Sequence, residues 1–388
     1  MIKRNLFITA VCLCLGGLAL AQQSEVLDRE TAVFETGFGY QMWKVQPNYD
    51  PITQITMPFS LVLPLGVRTM VNVANTPAYS WWQRDRKIFG LSDTWIQVNY
   101  ELLQDQLILN AGLCLPTGKT RLDTSQYVLS KEMLSRNIYQ YRLPLYGQGF
   151  NLKLGLMYAL PLNDKAVFGV AGQYIQRSAY RPVVYDYEYK SLNGETLTGH
   201  WDAEYKPGNE ATLQLGIDFL ASKNVRIALD ALYTYYWRDL MAGEEVYGAG
   251  GKFSFNLDAY YRYALEKYLW AHAVYRMRGK NELLQGASFE PEAVNSNGAQ
   301  FELNLEANVI SDDKNGLRLL AVTRYYAKSQ VDDARSEMVF GAGVGAGVAT
   351  GESSSLHIKF QYLFGGVQGA SYTRLAGLES YVGYRYAF

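Results

Sequence analysis

Three histidines, His200, His272 and His357, are the scarcest chemistry-bearing side chains in this 388-residue chain. His200 is followed by Asp202 in a long outer connection, residue types from which a lipase or protease site can be built. No serine motif accompanies the pair, and no metal-ligand spacing, phosphate loop or nucleotide fingerprint occurs elsewhere. Neither a catalytic residue nor a cofactor or metal is assigned. The charged residues that share one strand parity carry more information. They are Lys153; Asp218, Arg226 and Asp230; Lys252, Asp258 and Arg262; Arg276 and Arg278; Glu302 and Glu306; Arg318 and Arg324; and Lys359, Glu379 and Arg385. Mixed-sign charges on one face can line an aqueous path, pair with one another, or hold a folded-in loop.

The elements that would position them are strands. From Ala211 to Phe219, the residues Ala211, Leu213, Leu215, Ile217 and Phe219 share one face, and Thr212, Gln214, Gly216 and Asp218 the other. The same split recurs from Ala299 to Val309, from Phe253 to Tyr263, and where Leu356, Ile358, Phe360, Tyr362 and Phe364 oppose His357, Lys359 and Gln361. Period-two alternation marks half-buried strands, in a soluble sandwich or in a barrel wall facing lipid. Aromatic placement favours the barrel. Tyr233, Tyr235 and Trp237, Tyr261 and Tyr263, and Tyr384 and Tyr386 fall where strands leave a membrane, with Trp81 and Trp82 expected in an outer loop.

Both ends agree with export. Lys3 and Arg4, the apolar run Leu6 to Leu20, and Ala19-Leu20-Ala21 read as a secretory signal peptide over 1–21, so the barrel is expected over 22–388. Val11 before Cys12 and Leu13 before Cys14 do not fit a lipoprotein signal, and only Cys114 remains afterwards, excluding an internal disulfide. No other stretch reaches the ~20 apolar residues of a membrane helix. Lys+Arg 36 against Asp+Glu 37 gives no reason to expect a nucleic-acid partner. At the other end, Tyr381, Gly383, Tyr386 and Phe388 resemble the C-terminal assembly signal of bacterial outer-membrane barrels. That resemblance implies the barrel-assembly machinery as a partner, besides outer-membrane lipid.

Compact turns are expected at 63–66, 104–106, 162–165, 221–224, 265–267, 311–315 and 350–353. Longer outer connections are expected at 46–50, 76–90, 116–147, 178–204, 238–244, 281–297, 331–334 and 366–370. Together they predict an all-β transmembrane antiparallel barrel of about 14–16 strands. The longest connection, 116–147, is expected to fold inward as a constriction, with a short helix over Ser125 to Arg136. Tyr180 to Tyr205 reads as a hairpin that extends two wall strands. Gly341, Gly343, Gly345 and Gly347 share one parity, which implies close packing against bulky neighbours such as Tyr326, or close approach of a loop or ligand.

Three segments resemble the meta-pathway phenol-degradation family of outer-membrane transporters. Gly90-Leu91-Ser92-Asp93 and Leu115-Pro116-Thr117-Gly118 are similar to its Gly-x-Gly-Asp and Pro-Thr-Gly elements, with Ser92 where a glycine is usual. Tyr205-Lys206-Pro207-Gly208-Asn209 is the third. The resemblance implies passage of small hydrophobic or aromatic compounds and a distant likeness to long-chain fatty acid transporters. Only Gln22 to Thr31 precede the first strand, too few for the full N-terminal plug of those transporters. The expectation is a non-enzymatic, porin-like Gram-negative outer-membrane channel for a small-molecule solute. The alternatives are a non-conducting barrel that binds a surface partner through its outer loops, and an outer-membrane hydrolase using His200.

Overall fold

The computed structural model describes residues 31–45, 50–103, 106–190, 196–311, 315–331, 335–369 and 371–388. The expected leader over 1–21 lies outside them. The wall contains β1 (Val33–Val45), β2 (Ile52–Thr56 and Phe59–Pro64), β3 (Thr69–Asn75 and Ala78–Trp82), β4 (Arg86–Gly90 and Thr94–Leu103) and β5 (Leu107–Leu115). It continues with β6 (Asn151–Asn163), β7 (Ala166–Arg177), β8 (Glu210–Ser222), β9 (Val225–Tyr236), β10 (Lys252–Ala264) and β11 (Lys267–Arg278). The last five are β12 (Gln300–Ser311), β13 (Asn315–Tyr326), β14 (Ser336–Ala349), β15 (Ser354–Gln368) and β16 (Tyr372–Ala387). Each pairs antiparallel with the next, and β16 pairs with β1 from Val33↔Ala387 to Val45↔Leu375. The sheet therefore closes at sixteen strands. Closure leaves no open edge, which is what a sheet in lipid requires.

The splits in β2, β3 and β4 have a local cause. Pro58 and Pro77 lack the N–H that a ladder needs. The breaks lie side by side and are bridged by Gly37 N–H to the Pro58 carbonyl (3.1 Å), Met57 N–H to that of Pro77 (2.8 Å) and Ser92 N–H to that of Thr76 (3.1 Å). The wall thus stays paired around its whole circumference.

Parity sorts the faces. Leu213, Leu215, Ile217 and Phe219 are 38–52% exposed, whereas Gln214 and Asp218 are 4% and 3% exposed. On β15, Phe360, Tyr362 and Phe364 are exposed and Gln361 is buried. An apolar outer face over a polar inner one is inside out for a soluble sandwich and correct for a wall in lipid. This is a transmembrane β-barrel.

Several connections differ from the expectation. The stretch 76–90 is mostly wall, because Ala78–Trp82 and Arg86–Gly90 pair and leave a tight turn around Gln83 at φ 63°. Trp81 and Trp82 are therefore in a strand, with Trp82 turned inward and buried beneath the Arg86 guanidinium, 4.4 Å above its ring. β15 runs on to Gln368 and shortens the turn expected at 366–370. Val184–Lys190 and Thr196–Asp202 pair in a separate two-stranded sheet and do not prolong wall strands. The turn residues 104–105 and 312–314, and parts of 46–50 and 331–334, lie outside the described residues. Half of the glycine row on β14, Gly341 and Gly343, is closely packed, but not by Tyr326, whereas Gly345 and Gly347 have room for a Cβ at 3.4–3.5 Å. A Cβ at Gly341 would meet Leu363 Cδ2 at 2.5 Å, and one at Gly343 the Phe360 carbonyl at 2.2 Å.

Candidate functional site

Between the end of β5 and the start of β6 the chain turns into the barrel. Asp93 clamps the base of this loop: its carboxylate accepts the Gly118 N–H at 3.0 Å and the Gln148 N–H at 2.6 Å, one from each end. The Asp93 N–H also donates to the Tyr146 carbonyl at 3.0 Å. Thr117 Oγ1 donates to the Ser92 carbonyl at 2.8 Å. Gly118 is obligatory at this point, since a Cβ would lie 2.1 Å from the Tyr146 carbonyl oxygen. Two of the family-like motifs thus meet in one device. The third does comparable work further out, where Asp239 accepts the Tyr205 hydroxyl at 2.5 Å and the Gly208 N–H at 2.7 Å.

Past the clamp, Asp123 caps a short helix α1 (Thr124–Tyr127) by accepting the Gln126 N–H at 2.9 Å. A π-helical segment, Val128–Leu134, continues it and buries Leu129, Ser130 and Leu134. The expected helix over 125–136 is therefore present, in a wider winding toward its end. Lys131 on it is held below the usual lysine range by burial, against the pull of Asp239.

The following residues are held by the opposite wall. Trp43 Nε1 donates to the Tyr139 carbonyl (3.0 Å), and the Tyr141 hydroxyl to that of Ile52 (2.5 Å). Two strand glutamines read the loop backbone as a neighbouring strand would. Gln41 donates to the Gln140 carbonyl (3.0 Å) and accepts the Arg142 N–H (2.7 Å). Gln54 does the same at Leu143, at 2.8 and 3.0 Å. From β13, Arg324 Nη1 donates to the Ile138 carbonyl (3.3 Å) and the Tyr326 hydroxyl to that of Asn137 (3.0 Å). Arg136 pairs with Glu337, Gln140 Nε2 donates to Glu302 at 2.6 Å, and the Arg142 guanidinium lies 4.1 Å above the Tyr381 ring. The loop therefore crosses the lumen. Beneath it, Leu129, Leu134, Ile138 and Tyr139 pack with inward Trp43, Ile52, Val339 and Leu363 in one apolar cluster. Fully burying each such aliphatic side chain is worth roughly 1.5–3 kcal/mol, so the crossing is rigidly docked.

Most of the charges singled out on the inward parity are engaged in pairs. Arg226 Nε donates to Asp218 at 2.9 Å, Arg318 lies 3.4 Å from Glu306, and Arg324 Nη2 lies 3.1 Å from Glu379. Asp258 meets His272 at 3.0 Å and accepts from Trp270 Nε1 at 3.1 Å. Asp230 accepts from Gln214 at 3.2 Å, Arg262 donates to the Lys223 carbonyl at 3.3 Å, and Arg385 lies 3.5 Å from Glu35. Lys153 is buried beside Gly112, and Lys359 stands between Gly345 and Tyr381 in register. Arg276 and Glu302 are 3.8 Å apart, beyond hydrogen-bond reach. At the closing seam Tyr381 and Gly383 turn inward with Arg385, while Tyr386 and Phe388 are exposed. His200 is exposed on its hairpin, and Asp202 is held by Arg181 at 2.9 Å. Among the described residues no group of three or more His, Cys, Asp or Glu side chains is arranged to hold a metal.

Sequence reading missed the wall side of this site: Gln41, Trp43, Ile52, Gln54 and Glu337, and the clamp role of Asp93. A signal was present. Trp43, Ile52, Ile88, Val339 and Leu363 are large apolar residues on the otherwise polar parity, and a wet lumen does not call for them unless something docks there.

No protein-family model and no curated protein matches this chain. Solved structures similar to it include outer-membrane channels. CymD, a monoaromatic hydrocarbon channel, is 14% identical over 96% of this chain and 94% of its own, with a TM-score of 0.47. OprB of Pseudomonas putida is 11% identical over 95% and 96%, at 0.46. OpdL of Pseudomonas aeruginosa is 9% identical over 92% and 99%, at 0.48. These are likenesses in outline.

Proposed function

We propose that the protein is a passive channel of the Gram-negative outer membrane, admitting small solutes through a lumen narrowed by the 116–150 loop. The observation that carries this is the set of bonds from both arms of the lumen wall to residues 136–143, which fixes the loop as a bar across the path. A sixteen-strand barrel is too wide for side chains alone to fill, so a docked loop sets the size limit. What passes it meets paired charges of both signs, a lining that suits water-soluble and amphipathic molecules. The family-like motifs point toward aromatic compounds. Export would remove residues 1–21, and the last strand, with Tyr381, Gly383, Tyr386 and Phe388, would engage the assembly machinery.

Planar-bilayer conductance and liposome swelling test this together. The expected result is a small ohmic conductance, with swelling that falls steeply from single-ring phenolics and amino acids to disaccharides. Silent bilayers and non-swelling liposomes would favour the surface-binding alternative. Its structural basis is the outer sheet of Tyr205–Lys206, Arg238–Met241, Glu244–Gly248, Glu282–Gln285 and Ser288–Pro291.

A further inference from the structure

The loop does not press evenly on the wall. Between residues 134–144 and the inner faces of β11 and β13 it leaves a cleft of ≈ 270 Å³. Leu134 and Pro144 close its apolar side; Arg136, Gln140, Arg276 and the Tyr326 ring line it too. That volume lies below the usual range for drug-sized ligands and fits a single substituted ring.

Charge around the cleft is unbalanced. Among the described residues Arg276 meets one carboxylate, Glu302 at 3.8 Å, which also accepts the neutral amides of Gln140 at 2.6 Å and Asn304 at 3.0 Å. Beside it, Lys252 and Arg278 stand directly opposite each other in the β10–β11 register, with Arg276 two positions further along, opposite Ser254. Like charges facing across a strand pair repel, and such an arrangement is destabilising unless an anion offsets it. Arg278 is also held 5.0 Å from the Tyr236 ring. Lys252 and Arg278 thus extend the cationic side of the cleft along the strand pair from Arg276, and with Arg136 they make four cations against the two carboxylates that meet the cleft lining, Glu302 and Glu337. A field of one sign along a low-dielectric wall concentrates ions of the opposite sign.

We propose that this cleft is a binding subsite for small aromatic carboxylates. The carboxylate is taken by the Arg276 guanidinium, with Lys252 and Arg278 steering it inward, and the ring lies against Tyr326, Leu134 and Pro144. The inference rests on the channel reading only for its consequence, passage; binding itself does not require conduction.

Isothermal titration of the detergent-solubilised barrel with benzoate, benzyl alcohol and benzylamine tests the subsite, and bilayer recordings test the channel. Benzoate is expected to bind while the alcohol and the amine do not. Arg276→Gln should weaken benzoate about tenfold, as loss of a charge-assisted contact does. Lys252→Gln, further from the cleft, is the milder variant in case Arg276→Gln misfolds, and should lower both affinity and chloride-over-potassium preference. Equal binding of all three compounds, or benzoate affinity unchanged in both variants, overturns the subsite even if the barrel conducts. Benzoate binding lost in Arg276→Gln with silent bilayers keeps the subsite and overturns the channel.

Discussion

Replacing Asp93 with alanine should release the loop at its base and make residues 119–147 cleavable by trypsin in an otherwise intact barrel. The carboxylate ties both arms together at the base of the loop, through Gly118 and Gln148. Hydrogen bonds to a charged group contribute about 1.5–3 kcal/mol each, so losing two costs roughly 3–6 kcal/mol locally. Wall pairing elsewhere is untouched, because the barrel ladder runs through backbone groups. Lys119, Arg121, Lys131, Arg136 and Arg142 are the trypsin sites in that segment, with new cleavage expected at the last three, and single-channel traces should flicker toward larger currents. Asp93→Asn, which keeps an acceptor but no charge, should fall between. A protected loop and unchanged traces in Asp93→Ala would mean that the apolar packing of Leu129, Leu134 and Ile138 holds the loop alone.

The second large effect concerns which side of each strand meets lipid. Leu257 and Asn256 are adjacent on β10, and Leu257 is exposed on the outer face. Leu257→Arg should cost about 2–4 kcal/mol if that position lies near the bilayer midplane, and should lower the yield of folded barrel in lipid vesicles. Asn256→Arg should fold normally, since position 256 stands opposite Asp230 in register and a cation there faces carboxylates across water. Folding measured by the mobility shift of unheated barrel in detergent gels separates the two. The opposite ranking would turn the wall inside out.

The wall was legible because period-two alternation over strands such as β8 and β15 is a strong local signal, and turn residues punctuate it. The inward course of the long loop was legible from its length and its helix was read over Ser125 to Arg136, while the Asp123 cap that starts it was not. The partners of that loop were not. Gln41, Gln54, Arg324 and Glu337 lie far from it in sequence, and only closure of the β1–β16 seam brings them to face it. The strands through 76–90 were hidden for a different reason. The run 76–90 reads as a connection, yet Met57 N–H to the Pro77 carbonyl and Ser92 N–H to that of Thr76 bridge the breaks and let pairing resume. Of the histidine pair, His200 is exposed on the outer hairpin, and Asp202 is engaged by Arg181 at 2.9 Å.

The central claim is that residues 116–150 bar the lumen. It is tested most directly by replacing 121–145 with a short glycine-serine link, leaving the Asp93 clamp intact, and comparing single-channel conductance with that of the native chain. The replacement should conduct several times more current and admit disaccharides in swelling assays. Equal conductance and an unchanged size limit would place the narrowest point of the path elsewhere.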